Sequence, residues 1–242
     1  MRTIDLNADL GEGGSHDAEL MALASSVNIA CGGHAGNATT MRTAIELAIT
    51  HQVAIGAHPG YEDPRNFGRL PLKLPLQEIS DLVSRQLETL ASITSAIHHV
   101  KPHGALYNQA HACPDIAAAV IAGINRVLPR TILYAPPSGA FEQAATAAGH
   151  TVSSEGFADR RYGADGSLVP RSHANAVIHA AQEAVSQARE IAEHQRVRTI
   201  DGSLVPLPAR TLCIHGDGPQ AVTLLATLRT ALEAAGFTIT AH

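Results

Sequence analysis

The sequence predicts an α/β protein, a (β/α) barrel-like run of seven to eight parallel strands. Short apolar stretches alternate with longer segments whose apolar residues recur every three or four positions. That alternation continues over about the length of a single barrel. An open doubly wound sheet would usually carry a Gly-rich phosphate fingerprint after its first strand. The run Asp9-Leu10-Gly11-Glu12-Gly13-Gly14 does not match it. The chain therefore reads as one domain over 1–242, with a hairpin insertion near 196–208.

Residues 3–6 read as the first strand, with a short helical stretch near 17–25. A second strand at 27–30 leads to a helix at 38–50, with Met41, Ile45, Ala48 and Ile49 on one face. The third strand is 54–57. A long amphipathic helix follows over 76–97, with Pro75 near its start. The fourth strand is 99–101, followed by a helix at 114–128. The fifth strand, 131–135, precedes a helix at 138–148 closed by Gly149. The sixth strand is 151–155; a polar loop then leads to a helix at 174–193. Two stretches, 197–200 and 203–207, flank Asp201-Gly202, a hairpin signal. The seventh strand is 211–215, with a helix at 219–235 and a short last strand at 238–241.

Composition excludes several functions. The 242 residues carry 17 Lys and Arg against 22 Asp and Glu, a net charge of −5. A mildly acidic chain without a basic block is a poor nucleic-acid or membrane binder. Aromatics are 3% and Trp is absent, against a stacking platform for bases. No apolar run reaches the roughly 18 residues of a membrane span. Three Cys form no disulfide framework, and the start shows no signal-peptide core, so a cytoplasmic protein is expected. The 14 His are the unusual number, suited to proton transfer or metal binding.

Barrel sites lie at the C-terminal ends of the strands, and the polar residues gather there. The first strand is followed by Asp5, Asn7, Asp9 and Glu12, and the second by Asn28, Cys31 and His34. His58 follows the third, and Lys101, His103 and Tyr107 the fourth. Glu155, Asp159, Arg160, Arg161 and Tyr162 follow the sixth; His215 and Asp217 follow the seventh. Single members have plain structural readings: a capped turn, a satisfied core amide, a small buried thiol at Cys31. Four histidines at four strand ends are harder to explain that way. Lys101 before Pro102, ending a buried strand, is expected to meet a carboxylate or an anionic substrate. Arg160, Arg161 and Arg171 suit a carboxylate or phosphate, or simply the surface. The loop 61–69 reads as a lid or a solvated loop. No P-loop, Cys-x-x-Cys, His-Glu-x-x-His or Gly-x-Ser-x-Gly motif is present.

These segments also carry a family resemblance. Asp5 to Glu12, Asn28 to Gly36, Gly56 to Gly60, Phe67-Gly68-Arg69, Lys101 to Asn108, Phe157 to Tyr162, Gly166 to Arg171 and His215-Gly216-Asp217 resemble the LamB/YcsF family. The match runs in order from Asp5 to about Gly236. It departs at Gly13-Gly14-Ser15-His16, where an aromatic residue and Gly are usual. It also departs at Asn37, often Asp, at Leu70, where a second Arg is usual, and around Asp63 to Asn66.

The resemblance implies a barrel related to glycoside hydrolases and deacetylases. It implies a subunit of an ATP-dependent 5-oxoprolinase, opening 5-oxoproline (pyroglutamate) to L-glutamate with partner subunits B and C. ATP enters as co-substrate, bound here or by a partner; a homo-oligomer is compatible. On this reading Asp5 or Asp9 is the general base. Lys101 and His103 stabilise the oxyanion or phosphate. His58 and His215 act as acid or positioning groups, with Asp217 orienting His215. Asn7, Glu12, Asn28, His34, Tyr107, Asp159, Arg160 and Arg171 bind substrate. The alternative is a metal-dependent deacetylase or amidohydrolase, with Asp5, Asp9, His34 and His58 around a divalent ion. A third reading is a non-catalytic scaffold or sensor binding a small anion.

Overall fold

A computed structural model describes residues 2–215 and 220–242. Its centre is a closed barrel of seven parallel strands. They are β1 (Arg2–Leu10), β2 (Ser26–Ala30), β3 (Ala54–His58), β4 (Ile97–Val100), β5 (Ile132–Ala135), β6 (Thr151–Phe157) and β9 (Thr211–Ile214). Closure occurs where β9 pairs with β6 on one side and β1 on the other. The strand at the chain's end, β10 (Phe237–Ile239), does not enter this ring. It pairs with Arg2 to Ile4, below the stretch of β1 that β9 occupies.

Among the described residues, eight α-helices pack around the strands: α1 (Asp17–Met21), α2 (Ala38–His51), α3 (Leu76–Ala91), α4 (Gly104–Ala112), α5 (Pro114–Val127), α6 (Ala140–Ala147), α7 (Ala181–His194) and α8 (Ala221–Ala234). The apolar stripe of α3 buries Ile79, Leu82, Val83, Leu87 and Leu90. Asn37 starts α2: its side chain accepts from the Thr39 and Thr40 amides, and Thr40 Oγ1 accepts from the Asn37 amide. The expected hairpin is present as β7 (Arg196–Arg198) against β8 (Leu204–Pro206), antiparallel.

Three expectations are corrected. β1 runs nine residues, so Asp5, Asn7 and Asp9 lie inside the strand rather than after it. The helix expected at 174–193 begins at Ala181, because residues 176–178 pair back onto 159–161. The long third helix stops at Ala91, and Ile97 opens β4. The helix α4 was not foreseen. It is nine residues long and starts on Gly104, whose φ of +54° places it against the Gly68 carbonyl.

Alternation along β1 sorts its residues between two environments. Ile4, Leu6, Ala8 and Leu10 join the hydrophobic core. Asp5, Asn7 and Asp9 bond to residues of β2, β6 and β9 inside the ring. The barrel lumen is thus polar, and the strand registers set its layers.

Candidate active site

At the N-terminal end of the lumen, Asp5 accepts from Ser25 Oγ (2.6 Å), Ser26 Oγ (2.7 Å) and Thr211 Oγ1 (2.6 Å). Three hydroxyl donors and complete burial give this carboxylate a structural place. It is one layer below Asn7 and two below Asp9, so Asp5 does not reach the strand ends that the base and metal readings assumed.

The middle layer is held by one cation. Lys101 Nζ lies 2.8 Å from Glu155 Oε1, 3.2 Å from Asp9 Oδ1, 3.3 Å from Asn7 Oδ1 and 3.0 Å from Cys213 Sγ. Burial opposes its charge, but Asp9, Cys213 and Glu155 hold the ammonium well above its ordinary value. Lys101 thus meets carboxylates, as its position implied, and its donors are taken within the protein. Tyr107 donates to the other Glu155 oxygen at 2.6 Å. Asn28 donates to Asn7 and Asp9, both at 2.8 Å, and accepts from His99 Nε2 at 2.8 Å. That last bond crosses β3 at Gly56, where a Cβ would collide with the His99 ring. Burial, then the neighbouring positive groups, keep His99 well below its usual range, and so neutral.

The upper layer lies at the strand ends. Asp9 is buried, which raises its carboxyl, but His58, Lys101 and His215 more than offset this and hold it well below the carboxylate range. Its second oxygen lies 3.4 Å from His58 Nε2. His58 Nδ1 donates to the Lys101 carbonyl at 2.7 Å, and His103 Nε2 to the Phe67 carbonyl at 2.9 Å. The remaining nitrogens of these two rings face each other at 2.9 Å. His34 stacks on His103 with centroids 3.6 Å apart, and its Nε2 lies 3.1 Å from Glu12 Oε1. Burial, and the neighbouring imidazoles, push His34 and His103 down.

Beside this cluster, His215 Nδ1 donates to Asp159 at 2.9 and 3.1 Å, and its amide donates to Asp159 Oδ2 at 3.0 Å. Among the described residues, no hydrogen bond engages its Nε2. Asp159, expected to contact substrate, is therefore the carboxylate that orients His215. Asp217, expected in that role, lies outside the described residues. The imidazole stacks on Phe157 at 5.7 Å.

The arginines divide. Arg160 donates to the Val169 and Ala176 carbonyls, which ties it into the 160–178 loop. Burial, then the charge of Arg171, brings its guanidinium down to about 10, and Arg69 adds to this. Arg171 itself is exposed. Arg161 pairs with Glu183 on α7. Cys31 is buried, with its thiol pushed up to about 12 by burial, in keeping with a small core residue.

Sequence reasoning passed over Ser26, His99, Thr211 and Cys213, which complete the lumen. Their signal is the same alternation seen in β1: Ser26 and Asn28 on β2, Thr211 and Cys213 on β9. Four- and five-residue strands are too short for the period to stand out.

A closed parallel barrel with a polar lumen and a histidine- and carboxylate-rich mouth defines a (β/α) barrel protein of the architecture shared with deacetylases. A deacetylase solved with substrate superposes with a TM-score of 0.52 at 16% identity, covering 99% of this chain and 87% of that one. An uncharacterized protein from Agrobacterium tumefaciens gives 0.56 at 10% identity, covering 99% and 88%. These two share the fold. The chain belongs to the LamB/YcsF family, whose family model matches residues 4–242. A lactam utilization protein from Thermus thermophilus, known from its crystal structure, is 37% identical. It superposes with a TM-score of 0.92, covering 99% of this chain and all of that one. Among the described residues, no helix is long and apolar enough to cross a membrane.

Proposed function

We propose that this chain is the amide-hydrolysing subunit of a 5-oxoprolinase-type enzyme. It would open the lactam of 5-oxoproline to L-glutamate, coupled to ATP and with partner subunits B and C. The observation that carries this reading is the pairing of an Asp-oriented imidazole, His215 on Asp159, with an ionised Asp9 at the mouth of the barrel. Full-length similarity to a lactam utilization protein supports the substrate class.

An unstrained lactam resists hydrolysis, and phosphorylating its amide oxygen makes the ring carbonyl carbon electrophilic enough to take up water. The chain carries no P-loop motif, which supports giving phosphoryl transfer to the partners. The chemistry left here is addition of water to the phosphorylated amide carbon and departure of the ring nitrogen, which gives an acyl phosphate; a second water then releases phosphate and L-glutamate. His215 Nε2 is the proton acceptor for water and then the donor to the leaving nitrogen, since Asp159 fixes its tautomer. Asp9 is held too low to be a strong base. It orients the water and stabilises the protonated imidazole, whose charge it already feels. Lys101 acts through Asp9, by keeping it ionised. Arg171, exposed and near Arg160, supplies charge for the substrate carboxylate. The unpaired thiols fit a reducing cytoplasmic setting.

Glutamate formation from 5-oxoproline and ATP, measured with this chain alone and with subunits B and C, tests the reading. Glutamate is expected only in the full mixture. His215→Ala should lower turnover there by about 10²–10⁴-fold. Full activity in that variant would overturn the assignment of His215, and no glutamate with folded partners would overturn the substrate.

A further inference from the structure

We propose that Glu12, His34, His58 and His103 form a binding site for a divalent transition cation of the Zn²⁺ or Co²⁺ type. Each offers one ligand atom, and the four atoms lie within 4.8 Å of one another. All three histidines are buried. Three edges of the cluster are 2.9 Å (His58 to His103), 3.1 Å (His34 to Glu12) and 3.7 Å (His103 to Glu12). A tetrahedron with metal–ligand bonds of about 2.0–2.1 Å has edges of roughly 3.3 Å, between these values.

The hydrogen-bond inventory demands a positive centre at this point. A carbonyl only accepts, so His58 Nδ1 and His103 Nε2 must both carry protons toward Lys101 O and Phe67 O. In neutral rings, His58 Nε2 and His103 Nδ1 then each present a lone pair to the other at 2.9 Å. Only a cation or one extra proton reconciles them. Metal-bound histidines typically donate their second nitrogen to a carbonyl or carboxylate, as these two do. His34 joins the set through Nε2, 3.1 Å from Glu12 Oε1. Nitrogen-rich sites with a single carboxylate suit Zn²⁺ or Co²⁺ rather than Mg²⁺ or Ca²⁺.

This set differs from the one the sequence suggested. Asp5 is bound by hydroxyls deeper in the barrel, and Asp9 Oδ1 is taken by Asn28 and Lys101. Glu12 and His103 replace them. A bound ion would supply a Lewis acid next to Asp9. The site does not depend on the lactam reading, because binding is measured on the chain alone.

The test titrates the chelator-stripped full chain with Co²⁺, following visible d–d absorption, and then with Zn²⁺ in competition. One equivalent per chain is expected, displaced by Zn²⁺. Glu12→Gln and His103→Ala should each weaken binding by about tenfold or more, while the exposed His179→Ala should not change it. Absence of the Co²⁺ spectrum, or binding that survives both cluster variants, would overturn the proposal. Imidazole nitrogen NMR of the wild-type chain guards against a misfolded variant. Zn²⁺ should shift the ring nitrogens of His58 and His103; a bridging ring proton that persists unchanged at saturating Zn²⁺ would assign the pair to a proton and refute the site.

Discussion

Asp159 shows how a single buried group links stability to acid. Burial raises its carboxyl, and the charge and two hydrogen bonds of His215, with Arg160 beyond, lower it by more. Its folded value is therefore below its unfolded one. Such a group contributes stability that is fully present above its unfolded value and is lost as pH falls through the folded one. Unfolding midpoints of the wild type and Asp159→Asn should therefore differ by a constant amount from neutrality to about pH 5, and converge below about pH 4. A gap that stays constant throughout the acid range would contradict the depressed carboxyl. Lys101 illustrates the same physics from the cation's side: all three groups are buried, and removing it would leave the Asp9 and Glu155 carboxyl groups without their cation.

Elements are set by local signals of a different kind. Asn37 caps α2 at two amides and completes a reciprocal box with Thr40. Asn37→Ala should destabilise the chain by about 1 kcal/mol, read as a lower denaturant midpoint at unchanged slope. Asn37→Asp should keep most of that stability, because Asp caps as well as Asn. A silent Asn37→Ala would mean that packing alone holds the start of α2. The family departure at this position is thus a conservative one in physical terms. At Gly56 the constraint is space: any side chain would part His99 from Asn28, so one glycine on β3 keeps the polar layer continuous.

Closure is a property of the whole molecule. Asp5 to Ala8 pair with Thr211 to Ile214, across more than 200 residues of sequence. Until β9 arrives, β1 and β6 have unpaired edges and the charged lumen lies open. A chain ending before Thr211 is therefore expected to show no cooperative thermal transition by circular dichroism, although most of its helices are present. Cooperative unfolding of that fragment would show that the first six barrel strands are stable unclosed. Folding of the full chain should be slow for its size, since its decisive contacts are this distant.

The sequence by itself determined the α/β alternation, the amphipathic helices, and the strand-end positions of His34, His58, His103 and His215. Periodicity and turn chemistry act over a few residues, so they can be read locally. Asp5, Asn7 and Asp9 also alternate in the sequence, and on an extended strand alternate residues share one face. Only the tertiary structure decided that this face lines a lumen, and that the depth of each residue separates its role. Asp5 ends among hydroxyls, Asp9 against Lys101 and His58, and Asp159 under His215. The reason is register. Strands far apart in sequence slide to a common shear when the ring closes, and that choice decides which carboxylate meets which cation.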